Sequence, residues 1–67
     1  MKKDVPEGLE TRERVLDAAE VLFAEQGFAE VSLRAITSLA GVNLAAVNYH
    51  FGSKDGLVFE VLARVVG

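Results

Sequence analysis

The sequence predicts an all-α fold, a small bundle of four helices in the order long, short, short, long. Three observations carry that expectation. Apolar residues recur at helical spacing in two longer stretches, no stretch alternates apolar and polar residues as a strand does, and serines, an asparagine and glycines fall where helices begin and end.

Residues 1–9 read as a loose arm, polar and broken by Pro6 and Gly8. From about Glu10 to Gln26, Val15, Ala19, Leu22 and Phe23 share one stripe, with Leu16 at its edge and Glu13, Asp17 and Glu20 opposite. Glu10 and Arg14 stand at the favourable i,i+4 spacing. Gly27 is a natural left-handed cap, with Phe28 placed to fold back beyond it. Ser32 caps a second helix over Leu33–Ala40, with Leu33, Ile36, Leu39 and Ala40 inward. After Gly41 and Val42, Asn43 caps a third over Leu44–His50, only about 10 Å long. Ser53 caps a fourth, whose stripe is Leu57, Val58, Val61, Leu62 and Val65. Asp55-Gly56 is a hairpin signal, but no strand pattern flanks it, so Gly56 reads as a weak point of ~1 kcal/mol relative to Ala.

Sixty-seven residues allow one domain, and a chain this short buries only ~60% of its unfolded surface. It has no cysteine, so neither a disulfide framework nor a thiolate metal site is available to reinforce it. Hydrophobic residues make up 51%, rich for so small a body, which implies that some apolar surface faces a partner or a further part of the protein. No run approaches a membrane span, and "MKKDVPEG" lacks the apolar centre of a signal peptide. The expected setting is therefore cytoplasmic, without membrane contact.

Net charge is −3, but its distribution matters more than its sum. No Asp or Glu occurs from Val31 to Lys54, a segment carrying +2 while the rest carries −5. A buried middle helix between solvated ones is the plain explanation. The other is a surface that meets phosphate.

Two short helices joined through a glycine and one apolar residue form a helix-turn-helix of the homeodomain-like kind. In that motif the second helix enters the DNA major groove and its N-terminal residues meet base edges. Small side chains at Ala45 and Ala46 let the backbone approach the bases. Asn43 and Asn48 offer the donor and acceptor that match adenine, and Leu44 can meet a thymine methyl. Tyr49 and His50 supply donors for phosphate. Helix N-termini at Leu33–Arg34 and at Lys54 each add a cation beside free N–H groups. Each residue also has a plainer role: Asn43 is a helix cap in any case, His50 and Tyr49 can simply pack, and Lys54 can be an ordinary surface lysine.

Residues 10–62 resemble the DNA-binding domain of the tetracycline-repressor (TetR) family of bacterial transcription regulators. The most telling pieces are "AAEVLFAEQGF", "AGVN" and "YHFGSKDGL", in order and at the right spacing. The resemblance implies that Arg34 contacts phosphate or a base edge, that Asn43, Leu44, Ala45 and Ala46 face bases, and that Tyr49, His50 and Lys54 contact phosphates. It places Val47 and Phe51 in the core. Three positions depart from the family pattern. Asn48 stands where an aromatic is usual, which turns it toward reading a base; Thr37 replaces an alanine, which lets it reach DNA; Ala35 replaces the acid of the capping box, which loosens the second helix. The resemblance further implies a repressor that binds a palindromic operator as a homodimer, through a C-terminal domain that also takes a small-molecule effector. On that reading residues 10–53 are the helix-turn-helix domain, residues 54–67 lead toward the further domain, and the chain is a fragment.

An enzyme is not expected. There is no Gly-rich loop ending in Lys-Ser/Thr, no nucleophile elbow, and no second histidine for a metal site; no cofactor is expected either. The serious rival is a protein-interaction bundle whose apolar fourth helix docks on another chain. Such a bundle has no reason to keep residues 31–54 free of acid.

Overall fold

The computed structural model describes residues 7–67, with side-chain surroundings from Leu9 onward. The helices are α1 Glu7–Gln26, α2 Leu33–Ala40, α3 Leu44–Phe51 and α4 Lys54–Val66. The second matches its expected span, and the third runs one residue further, through Phe51. The first begins at Glu7 rather than Glu10, so residues 7–9 are helical. The rest of the expected arm, residues 1–6, lies outside the described residues.

Helix α1 lies against each of the other three, and α3 also touches α2 and α4. That central place explains why its buried arc is wider than a single stripe. Val15, Ala19 and Phe23 are buried as expected, but so are Ala18 and Leu16, the latter only 3% exposed where an edge position was expected. Ile36, Val47, Leu57 and Val61 meet them from the other helices, and Val31 closes the end of the core. Each of the larger of these side chains, the valines, leucines, isoleucine and phenylalanine, stabilises the fold by ~1.5–3 kcal/mol on burial.

Three side-chain caps start the shorter helices. Ser32 Oγ accepts from the Ala35 N–H at 3.1 Å, Asn43 Oδ1 from Ala46 at 3.0 Å and Ser53 Oγ from Gly56 at 3.2 Å. With Ser32 in place, α2 forms over its full span although Ala35 supplies no capping acid. At the end of α1, Gly27 takes φ +88 and its N–H donates to the Phe23 carbonyl, while Phe28 returns edge-on to Phe23 at 4.9 Å between ring centroids.

One inward and one outward assignment in α2 are corrected. Leu39 is 55% exposed, whereas Thr37 is buried, its hydroxyl donating to the Arg34 carbonyl at 3.0 Å. At about 100° per residue, Leu33, Ile36 and Ala40 define an arc of about 60°, with position 37 about 40° beyond one edge and position 39 about 60° beyond the other. Thr37 therefore belongs to the packed side of α2, and its hydroxyl is already engaged within the helix.

Gly56 also has a role opposite to the expected one. A Cβ there would run into the carbonyl oxygen of Phe51, so α3 and α4 approach as closely as they do because position 56 has no side chain. Gly56→Ala, stabilising by helix propensity alone, is expected instead to destabilise the domain by about 1–3 kcal/mol, as overpacking does. Thermal unfolding of the two proteins measures the sign directly; a higher melting temperature for the alanine variant contradicts the close approach.

Charges tie α4 to the outer side of α1. Arg64 donates to Asp17 at 2.6 Å, to Glu13 at 3.0 Å and to Glu20 at 3.3 Å. The hydrogen bond to Asp17, opposed by desolvation and helped by all three carboxylates, raises the Arg64 pKa above its already high ordinary value. A raised cationic pKa gives stability that is present at lower pH and lost only as pH rises through the raised value, so the Arg64 charge persists throughout the neutral range. The groups are well exposed and such pairs contribute little individually, ~0–1 kcal/mol each. The far half of the α4 stripe is not covered by the described residues: Leu62 and Val65 are exposed, as are Phe59 and Val66. No helix among the described residues is long and apolar enough to cross a membrane.

Candidate nucleic-acid interface

Gly41 makes the turn between α2 and α3. It adopts φ +74, its N–H and that of Val42 both donate to the Thr37 carbonyl, and an added Cβ would sit 3.4 Å from the Arg14 guanidinium. Val42 is half-buried against the core, and Asn43 starts α3 from extended backbone at φ −97. Asn43 Oδ1 is occupied by the Ala46 N–H, so what remains outward is chiefly the donating NH2 group.

Val47 is fully buried and fixes the rotation of α3. Phe51, one turn on, is half-buried beside it. The opposite face then consists of Ala45, Asn48 and Tyr49, all exposed, with Leu44 exposed at its first-turn edge. Ala46 and His50 lie at the other edge, half-buried. Tyr49 is 85% exposed, an unusual position for an aromatic ring unless it meets something outside the domain. His50 stands edge-on to it at 5.0 Å between centroids. The Asn48 amide has no hydrogen-bond partner among the described residues, so both its donor and its acceptor face outward; of the two asparagines it is the one equipped for a two-bond match to adenine.

Arg34 is exposed in the first turn of α2. It shares a depression of about 360 Å³ with Leu33, Thr37, Ser38 and Leu44, which brings the cation of α2 to the first residue of α3. Ser38 was not singled out from sequence; its place one turn after Arg34 was the available signal. Thr37, expected to reach DNA, lies at the floor of this depression and is buried with its hydroxyl engaged. Beyond α3, Gly52 at φ +82 ends the helix with its N–H on the Asn48 carbonyl, and Lys54 opens α4 behind the Ser53 cap. Lys54 is half-buried. The structure thus brings Arg34 to Leu44, groups Ala45, Asn48 and Tyr49 on one outer face, and sets His50 beside them. Acidic side chains flank this region at Glu30 and Asp55 and none lies within it.

Comparison with known proteins agrees with this geometry. Residues 15–61, more than half of the chain, match the family described as bacterial regulatory proteins, tetR family. The chain is 40% identical over 60 residues, 90% of its length, to the HTH-type transcriptional regulator AcrR of Shigella flexneri. It is 42% identical over 55 residues, 82% of its length, to the HTH-type transcriptional repressor BdcR of Escherichia coli K12. It is 36% identical over 64 residues, 96% of its length, to the HTH-type transcriptional repressor BepR of Brucella suis. The matched regions cover 28%, 28% and 31% of those relatives. With the four helices, the glycine turn and the family match in agreement, this chain belongs to the tetR family of bacterial regulatory proteins.

Proposed function

We propose that the domain binds double-stranded DNA sequence-specifically, with α3 in the major groove, and serves a transcriptional repressor. The observation that carries this reading is the outer face of α2 and α3: exposed amides, small side chains and an 85% exposed tyrosine, with no acid from Val31 to Lys54, in a chain of net charge −3. Asn43, Leu44, Ala45, Ala46 and Asn48 meet base edges, whereas Arg34, Tyr49, His50 and Lys54 meet phosphates. Thr37 supports this face from beneath. Relatives named as repressors support the repressor reading; on the family resemblance, the whole protein is proposed to act in the cytoplasm as a homodimer on a palindromic operator, released by a small effector held in a further domain.

The rival reading, a protein-interaction bundle, has the exposed Phe59, Leu62, Val65 and Val66 of α4 in its favour. That stripe accounts for a protein contact on α4 but not for the acid-free face of α2 and α3.

Lys54 separates the two. Lys54→Ala is expected to weaken binding to operator and random duplex about equally and to lower the slope of log affinity against log salt by roughly one unit. Titrations at several salt concentrations measure it. Loss of operator binding alone assigns Lys54 to base reading, and no change in either removes it from the interface.

A further inference from the structure

Arg12 makes contacts that none of the proposed DNA-facing residues requires. From α1, its Nη2 donates to Glu60 Oε1 on α4 at 3.1 Å. Its guanidinium carbon also lies 5.2 Å from the centroid of the Phe51 ring, at the last residue of α3. A longer contact, 3.9 Å, runs from Nη1 to Glu13 on its own helix. One side chain of α1 therefore touches both helices that flank the Gly52–Ser53 turn.

That turn is open on its Gly52 side, while the Phe51 carbonyl against Gly56 holds the end of α3 close to the start of α4. An added Cβ at Gly52 would meet no atom within 4 Å. On one side of it stand Asn48, Tyr49 and His50, and on the other Lys54. Base contacts from α3 and a phosphate contact from the start of α4 must be made on one duplex at the same time, so the angle between the two helices sets whether both are possible. Half-exposed ion pairs and cation–π contacts hold a fold together only weakly, and here the value of the pair is geometric.

We infer that Arg12 is a positioning residue for DNA reading: by bridging Phe51 and Glu60 it fixes the angle between α3 and α4, so that base and phosphate contacts fall in one register. This rests on the DNA-binding function proposed above. It separates Arg12 from a residue that touches phosphate itself, because a positioning role must pass through Glu60.

The test compares full-length wild type with Glu60→Ala, Arg12→Ala and Arg12→Lys, each titrated against a duplex selected by the wild type from a random pool and against a random duplex. Glu60→Ala removes a negative charge, which by charge alone favours DNA. The expected result is the reverse: operator binding weakened about threefold to fivefold, with random-duplex binding and melting temperature nearly unchanged. Arg12→Ala, which loses both contacts, weakens operator binding about tenfold, and Arg12→Lys recovers most of it. Operator binding by Glu60→Ala equal to or tighter than wild type overturns the inference, and with parallel losses on both duplexes for Arg12→Ala it makes Arg12 a direct phosphate contact. If the wild type selects no duplex, the DNA-binding reading itself has failed and the inference falls with it.

Discussion

Ala45→Leu is expected to lower operator affinity about a hundredfold while leaving the melting temperature unchanged. Ala45 is exposed on the outer face of α3, opposite the fully buried Val47, so a longer side chain there points away from the core. In the groove the same side chain holds the helix away from the bases. Asn48 one turn on and Leu44 beside it then lose their partners together, and each good base contact discriminates by ~1–3 kcal/mol, so losing even one or two gives an effect of this size. Leucine is also a strong helix former, which keeps α3 intact. Random-duplex affinity, which depends on phosphate contacts, should fall far less. A variant with unchanged operator binding and an unchanged melting curve would show that this face does not approach DNA.

The second large effect concerns valency. A helix of eight residues gives a single half-site few base contacts, and a net charge of −3 adds no long-range attraction to DNA. The 67-residue chain alone is expected to bind one half-site weakly and with strong salt dependence. Two copies held together, as in the proposed homodimer, place their recognition helices about one DNA turn, ~34 Å, apart and gain about 10²–10⁴-fold by effective concentration. Titrating the 67-residue chain and the full-length protein against one complete operator at the same ionic strength measures the gain. Equal affinities would mean that this chain pairs by itself, with the exposed apolar side of α4 as the surface to examine.

The local signals were legible because they are local. Ser32, Asn43 and Ser53 announce helix starts through hydrogen bonds that span only three residues, and all three occur as expected. Gly27 and Gly41 end their helices in the left-handed conformation for the same reason. What the sequence hid depends on neighbours distant along the chain. Leu16 and Ala18 are buried because three helices surround α1, and Leu39 is exposed because the arc that α2 turns inward favours Thr37. Gly56 reads as a weakness until the Phe51 carbonyl is seen against it. Nothing in the local sequence marks Arg12 or Arg64, and only the fold shows that each reaches the other long helix. In the candidate site, the resemblance puts Val47 and Phe51 inward, which leaves Ala45, Asn48 and Tyr49 on the outer side of α3, and all three are exposed. The engagement of the Thr37 hydroxyl was not legible, since that hydrogen bond depends on where the side chain turns after the helix has formed.

Selection of bound sites from a random duplex pool by the full-length protein tests the central claim most directly. If the acid-free face of α2 and α3 reads DNA, the pool converges on an inverted repeat whose half-site centres lie about one helical turn apart, and Ala45→Leu carried through the same rounds fails to enrich it. A wild-type pool that stays random after selection, at low and moderate salt alike, would contradict sequence-specific DNA binding by this domain.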